Sequence, residues 1–146
     1  MDELDRRIIE ILQKDGRASN AKIARDVGVS EGTVRRRLRR LVQDDVAKII
    51  AVPNLDKMGY PTAALIGLQT APGRLDSVAD AIAAMSEVHY VAITTGAFDV
   101  FAWVGTSSTE SLGIFLRTKI GTIPGVTRTE TFVNLTIKKR TYGLIL

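Results

Sequence analysis

One stretch decides the fold of this chain: Ser30-Glu31-Gly32-Thr33-Val34-Arg35-Arg36-Arg37-Leu38-Arg39-Arg40-Leu41. Its apolar residues Val34, Leu38 and Leu41 recur at helical spacing and form one stripe. Five arginines cover the rest of the surface: Arg36 and Arg39 opposite the stripe, Arg35 and Arg40 beside them, and Arg37 near the stripe's edge. The pattern predicts a short helix, capped by Ser30, with a core side and a cationic side. The cationic side is either a solvated face or a surface for phosphates and base edges.

The residues that precede this helix favour contact with nucleic acid. Ser19 begins a shorter helix, whose inward residues are Ala21, Ala24 and Val27. Gly28 predicts a left-handed C-cap, and Ser30 starts the next helix at once. Two helices joined by a short turn that contains glycine form a helix-turn-helix, although a helical hairpin of no special function has the same outline.

A further helix and a strand complete the N-terminal unit. Residues 2–14 predict a helix with Asp2 as its cap and with Glu3 and Asp5 in the first turn, where the helix dipole favours carboxylates. Its buried stripe consists of Leu4, Ile8, Ile11 and Leu12. The β-branched run 46–52 predicts a strand, or small wing, that Pro53 ends. Residues 53–61 contain two prolines, a glycine and turn-forming Asn and Asp, so we predict a hinge there, between a domain over 1–52 and a second over 62–146.

The composition narrows the function. The chain has 146 residues and a net charge of +4, of which residues 1–52 carry +3 (twelve Lys/Arg against nine Asp/Glu). This placement suits a local contact with a polyanion. Without cysteine the chain has no disulfide, thiolate metal site or cysteine nucleophile. No apolar run approaches the length of a membrane span and no signal peptide is recognisable, so we expect a cytoplasmic protein with no membrane partner.

The second domain has the element order β-α-β-β-α-β. Strands are predicted at 62–70, 88–95, 98–105 and 126–139, and helices after residue 75 and after the cap Ser108. This order is the ferredoxin-like split βαβ, so the overall class is α+β. The long final strand is expected to place Val133, Leu135 and Ile137 on one face.

The third of these strands is apolar on both sides. One side carries Phe98, Val100, Ala102 and Val104, and the other carries Phe101 and Trp103. An antiparallel sheet with one wet face should alternate apolar and polar residues. We therefore expect Phe101 and Trp103 to pack against a second copy of the chain. The alternative cover is a long loop or the C-terminal Leu144-Ile145-Leu146.

In three places the sequence resembles the leucine-responsive/asparagine regulator (Lrp/AsnC) family of prokaryotic transcription factors. The opening helix Leu4–Leu12 resembles that of the family. The run Ala24–Ser30, followed by Val34, Arg37, Leu38 and Leu41, resembles its helix-turn-helix. The turn Thr95-Gly96-Ala97-Phe98-Asp99 resembles its effector-domain loop. The chain departs from the family where Asp45-Val46-Ala47 replaces the usual Gly-Val-Ile, which puts the turn into the wing in doubt.

The resemblance implies a winged helix-turn-helix joined to a ligand-sensing domain that dimerises through its sheet. It further implies assembly to dimers, and in some members to tetramers or octamers. Small amino acids are the usual effectors, bound between sensing domains, and no other cofactor is expected.

Double-stranded DNA is the partner that these observations predict. Ser30, Glu31, Thr33, Arg35 and Arg36 are candidates for base or near-base contact in the major groove. Arg39 and Arg40 lie further along and are assigned to phosphates, and Arg37 to a structural or backbone role. Phosphate contacts make binding salt-dependent.

The turn Thr95–Asp99 admits two interpretations. Gly96 and Asp99 can form a hairpin in which glycine supplies a positive φ and aspartate caps the turn. Alternatively Thr95, Gly96 and Asp99 hold an effector, with Asp99 near a polar group such as an α-amino group.

No enzymatic function is predicted. His89 is the only histidine, too little for a metal site, and no nucleophile–base pair or phosphate-binding glycine loop stands out. Siroheme decarboxylases, which resemble the family in both halves, remain an alternative on the architecture and on His89. A third possibility is an assembly or co-regulator module that binds DNA without sequence preference.

Overall fold

Serine and aspartate caps begin the three helices of the N-terminal part. Helix α1 spans Glu3–Lys14 and is capped by Asp2, in a capping box with Asp5. Helix α2 spans Asn20–Val27 and follows Ser19, and helix α3 spans Glu31–Gln43 and follows Ser30. Each cap side chain accepts a backbone N–H from the first turn, which satisfies one of the donors that a helix start leaves open.

Apolar residues from all three helices form one small core. Ile8, Ile23 and Val34 are fully buried, and Ala24 is nearly so. Ile23 is buried, although the sequence pattern predicts only Ala21, Ala24 and Val27 as inward residues of α2. That prediction follows the small residues, which allow two helices to approach closely, and omits the larger Ile23. Gly28 ends α2 with φ 74°, as predicted for a left-handed C-cap.

This computed structural model describes residues 1–139. The chain separates into two units, of which the first contains Met1–Val52 and the second contains Pro53–Lys138. The residues predicted as a hinge, 53–61, therefore lie in the second unit, where Tyr60 N–H donates to the carbonyl of Leu55 at 2.9 Å. The C-terminal Leu144-Ile145-Leu146, the alternative cover for the sheet, lies outside the described residues.

A four-stranded antiparallel sheet and two helices build the second unit. The order along the chain is β1 Thr62–Thr70, α4 Leu75–Ala83, β2 Val88–Ile93, β3 Val100–Thr106, α5 Thr109–Thr118, a short 3₁₀ turn Ile120–Thr122, and β4 Val126–Val133. The strands lie in the order β2-β3-β1-β4. This is the predicted ferredoxin-like arrangement.

One face of the sheet packs on the helices. The register pairs Ala64 with Val104, Ile66 with Ala102 and Leu68 with Val100, and all six side chains are fully buried. They pack with residues of the two helices, among them Ile82 and Phe115. The alternate residues of the same strands face the other way and belong to the open face of the sheet.

The predicted wing strand over 46–52 is wrong. This segment has no strand structure, and Ile49 and Ile50 are 57% and 68% exposed. A β-branched run needs a neighbouring strand to complete its hydrogen bonds, and within the described residues none pairs with it. The helix-turn-helix does not depend on this segment.

The final strand is shorter than the predicted range 126–139. It ends at Val133, after which Asn134 N–H donates to the carbonyl of Ala63 at 2.9 Å. The neighbouring strand β1 begins at Thr62, so no ladder partner remains beyond this bond. Leu135 is consequently 96% exposed instead of facing the sheet.

Phe98 lies on the opposite side from the one predicted. The strand β3 begins at Val100, so the alternation that was extended back to Phe98 does not reach it. Its ring packs over Gly67 of β1 and meets Phe101 and Phe132 edge to face, with centroids 5.5 and 6.4 Å apart. Phe98 therefore belongs to the open face.

Candidate nucleic-acid interface and effector loop

The helix-turn-helix is closed by local hydrogen bonds. Val29 N–H and Gly28 N–H both donate to the carbonyl of Ala24, at 3.0 and 2.9 Å, which completes the end of α2. Ser30 Oγ then accepts from Thr33 N–H at 3.1 Å and also contacts the Thr33 hydroxyl at 2.9 Å. The turn between the two helices thus needs no partner outside itself and places Glu31 in the first turn of α3.

The outer side of α3 carries exposed charge. Arg35 donates to Glu31 at 2.8 Å, and both side chains remain about half exposed. Arg36 and Arg39 are exposed, and within residues 1–139 neither makes a hydrogen bond or ion pair. Opposite them Val34 and Leu41 are buried. Two uncommitted guanidiniums on the face away from the core give α3 a surface suited to a polyanion.

The other two arginines of α3 face α1. Arg37 Nη1 donates to a carboxylate oxygen of Asp2 and lies 3.3 Å from Asp5 Oδ1. Arg40 Nη2 donates to Asp5 Oδ2 at 2.8 Å. The Asp5 side chain is fully buried, whereas Arg40 is half exposed. A salt-bridge network between α1 and α3 therefore holds both guanidiniums.

The network changes two pKa values. The backbone N–H of Asp5, and after it the Arg37 guanidinium, hold the pKa of the Asp2 carboxyl below its ordinary value of 3.8. The same carboxylate, as a hydrogen-bond acceptor, raises the pKa of Arg37. Both effects favour the charged forms, so the Asp2–Arg37 pair persists throughout the neutral range.

Asp5 is the residue that sequence reasoning missed. The sequence alone indicates only a first-turn carboxylate that the helix dipole favours. At helical spacing it lies beside Leu12, on the edge of the apolar stripe, and this position was the available signal. A carboxylate at such an edge is buried only when it is paired.

The turn Thr95–Asp99 is tied to the end of β1. Asp99 Oδ2 accepts from Thr70 N–H at 2.7 Å and from the Thr70 hydroxyl at 3.3 Å. Gln69 Nε2 donates to the carbonyl of Ala97 at 2.8 Å. Gly96 has φ 111°, and nothing lies within 4 Å of the position that a Cβ would take. The turn thus has the hairpin features of the first interpretation, together with an open approach to the Gly96 backbone.

A cleft of about 500 Å³ opens at the other end of the sheet. Its wall combines Leu55, Tyr60 and Phe115 with Glu87 and His89. A hydrogen bond from Lys119 lowers the pKa of Glu87. The cleft has the size of small-molecule sites. Sequence reasoning did not predict it, since its residues come from strands, a helix and loops that are distant in the sequence.

The open face of the sheet is aromatic. Phe101 and Trp103, the two residues predicted for an interface, lie on it at register positions opposite Gly67 and Leu65. Phe98 and Phe132 extend the same surface, and Phe132 is 47% exposed. Tyr90, the neighbour of Trp103 on β2, is 60% exposed. We call this surface the aromatic face.

Neither a metal site nor a membrane span is found in the described part of the chain. No cluster of three or more His, Asp or Glu side chains there could hold a metal ion. No helix there is long and apolar enough to cross a membrane.

Each of the two units matches the model of a known protein family. Residues 1–42 match the AsnC-type helix-turn-helix domain, and residues 63–144 match the Lrp/AsnC ligand-binding domain. An HTH-type transcriptional regulator of Pyrococcus furiosus is 39% identical over 146 residues, 99% of each chain. The HTH-type transcriptional regulator FL11 of Pyrococcus abyssi is 37% identical over 145 residues, 99% of this chain and 95% of its own.

Solved structures of regulators share the fold. E. coli AsnC superposes with a TM-score of 0.90 at 27% identity, over 97% of each chain. The regulator NMB0573 of Neisseria meningitidis, solved in complex with L-Met, has a TM-score of 0.91 at 20% identity, over 99% of this chain and 96% of its own. With both domain models matched in order, the chain belongs to the Lrp/AsnC family of transcriptional regulators.

Proposed function

We propose that α3 reads DNA sequence through the surface on which Arg36 and Arg39 are exposed and, within residues 1–139, unpaired. In this proposal Ser30, Glu31, Thr33, Arg35 and Arg36 approach base edges from the N-terminal half of the helix, and Arg39 meets a phosphate. Arg40, which the sequence alone assigns to phosphate, has its guanidinium at Asp5 and is not among the proposed contacts. With chromosomal DNA as the partner, the compartment is the cytoplasm.

A salt titration of DNA binding tests this assignment. The chain itself is used to select a preferred duplex from a random pool, and fluorescence anisotropy then gives affinities over a range of salt. Arg39→Ala should flatten the log–log salt slope by about 0.9, because one phosphate contact is lost. Arg36→Ala should reduce the preference for the selected duplex, by about 1–3 kcal/mol if a bidentate contact to guanine is lost.

Arg117→Ala is the matched control. It removes an exposed arginine from α5 of the second unit, so it lowers the net charge equally without touching α3. The proposed contact surface would be wrong if Arg36→Ala, Arg39→Ala and Arg117→Ala all bound the selected duplex and a duplex of unrelated sequence with the same affinities as one another.

We further propose an α-amino acid as the effector, held near Thr95, Gly96 and Asp99. The open approach to the Gly96 backbone supports it, as does Asp99 Oδ1, which accepts no hydrogen bond within residues 1–139. The L-Met complex of the Neisseria relative supports the chemical class. The Oδ1 atom is suited to an α-amino group, while Oδ2 stays with Thr70.

A thermal-shift screen of the twenty amino acids tests the effector. A ligand that binds the native state stabilises it by about 2.7 kcal/mol at a hundredfold excess over its Kd. Gly96→Val should abolish the shift for the selected amino acid. Tyr60→Ala, in the cleft at the other end of the sheet, should leave it intact. Loss of the shift in Tyr60→Ala but not in Gly96→Val would move the effector to the cleft.

We also propose that the aromatic face joins two copies of the chain. An exposed aromatic surface of this kind on a small domain is typical of an interface. Trp103→Glu would bury a charge in that interface, so its mass by light scattering should fall to that of the monomer. Exposed Ile114→Glu on α5 provides the control for an added surface charge. An unchanged mass in Trp103→Glu would assign assembly to another surface.

A further inference from the structure

The five arginines of α3 differ in what they contact, although the sequence presents them as one cluster. Arg36 and Arg40 are one helical turn apart, so their Cβ atoms lie on the same side of the helix. Nevertheless Arg36 is unpaired within residues 1–139, whereas Arg40 bends to Asp5. The side of the helix on which the two arginines lie therefore does not explain the difference, and the buried carboxylate of α1, which only Arg40 reaches, does.

The Asp5 side chain is fully buried, and within residues 1–139 its carboxylate accepts from three donors. Its Oδ2 accepts from Asp2 N–H at 3.0 Å and from Arg40 Nη2 at 2.8 Å, and its Oδ1 lies 3.3 Å from Arg37 Nη1. A buried ion pair adds little net stability compared with an apolar replacement, and its best-attested role is to fix one arrangement of the groups that it joins. The Asp5 carboxylate joins the first helix to the last turn of α3, more than thirty residues away in sequence.

We propose that Asp5 is a positioning residue for DNA recognition, which holds Arg40 against α1 and so keeps this cation off the phosphate backbone. The DNA surface of α3 then presents Arg35, Arg36 and Arg39. Fewer phosphate contacts lower the sequence-independent part of the affinity and leave the base contacts unchanged, which favours discrimination between sequences. The inference rests on the proposed role of α3 in DNA binding.

The salt slope for a duplex of mixed sequence tests the inference. Asp5→Asn keeps an oxygen for Asp2 N–H but removes the charge, so Arg40 faces only a neutral acceptor and a DNA phosphate can compete for it, while Asp2 still holds Arg37. The log–log slope should become steeper by about 0.9, the value for one added phosphate contact. Adding Arg40→Gln to Asp5→Asn should restore the wild-type slope. A merely structural role for Asp5 would lower the melting temperature and leave the slope unchanged.

Glu3→Gln is the matched control, because it removes an exposed carboxylate from the same helical turn. An equal change of slope in Glu3→Gln would mean that net charge alone acts, which would overturn the proposal. An unchanged slope in folded Asp5→Asn would overturn it as well.

Single arginine variants serve if Asp5→Asn does not fold. Arg39→Gln should flatten the slope by about 0.9, and the neighbouring Arg40→Gln should not change it. If both flattened it equally, Arg40 would already contact phosphate and the inference would fail. If neither changed it, the failure would lie in the proposed DNA surface of α3.

Discussion

At the scale of single residues, Asp45 stands in an unfavourable place. It follows α3 with φ 53°, in the left-handed region that favours glycine. Val46 N–H donates to the carbonyl of Leu41 at 2.9 Å, which is the Schellman pattern of a helix end. The negative charge of Asp45 also lies at the negative end of the helix dipole. The family's usual glycine at this position is thereby explained.

Asp45→Gly should therefore stabilise the first unit by about 0.5–1 kcal/mol. Gly28→Ala should have the opposite effect, a loss of about 1 kcal/mol, because φ 74° is strained for alanine. Nothing lies within 4 Å of the added Cβ at Gly28, so this loss is purely conformational. Thermal unfolding of both variants checks the pair. A change of the melting temperature in the same direction in both variants would contradict this explanation of the two helix ends.

Asp2 predicts a dependence on pH. Its pKa is lowered in the folded chain from 3.8, so the stabilisation by its charge is complete above 3.8 and is lost as the pH falls through the folded value. Asp2→Asn keeps a good N-cap and removes only the charge. The gap in melting temperature between wild type and Asp2→Asn should be constant near neutral pH and close in acid. A gap that widened in acid would refute the assignment.

The loss of Asp5 should weaken the first unit. Asp5→Ala leaves Arg40 without its partner and Asp2 N–H without an acceptor, so we expect a loss of about 2–3 kcal/mol, at the low end for a buried pair because Arg40 is half exposed. Urea unfolding of wild type, Asp5→Ala and the exposed control Glu3→Ala checks this. A loss no larger than that of Glu3→Ala would show that burial of Asp5 has no energetic consequence.

At the scale of elements, local chemistry predicted where helices begin and end. Ser19, Ser30 and Ser108 cap their helices, and Gly28 ends α2, because each acts through bonds within a few residues. Strand ends need a partner, so the run 46–52 and the residues after Val133 were predicted wrongly. The Asp5–Arg40 and Asp99–Thr70 contacts join distant segments, and no spacing rule in the sequence indicates them.

On the aromatic face, Gly67 of β1 leaves room for the ring of Phe98, which precedes β3. An added Cβ would lie 2.7 Å from the Phe98 ring, so the ring must move and lose its contacts with Phe101 and Phe132. Gly67→Ala should cost about 1–3 kcal/mol. Gly113→Ala within α5 should instead stabilise by up to about 1 kcal/mol. Denaturant unfolding at one protein concentration compares them, and a neutral Gly67→Ala would contradict the packing.

At the scale of the whole molecule, two features act together. The proposed dimer through the aromatic face would present two copies of α3, and each would bring its own Arg36 and Arg39. A symmetric pair of recognition helices requires two half-sites related by two-fold symmetry, one turn of DNA apart, about 34 Å, or a multiple of that distance. The spacing of half-sites therefore depends both on the proposed dimer and on the proposed role of α3 in DNA recognition.

The most direct measurement is selection from a random duplex pool, with footprinting of the enriched sites. We predict a shared sequence element that occurs twice with two-fold symmetry and an integral number of helical turns between its centres. Arg36→Ala should enrich it poorly, and Arg117→Ala should enrich it as well as the wild type. A folded wild-type protein that enriched no common sequence would contradict the central claim that α3 reads DNA.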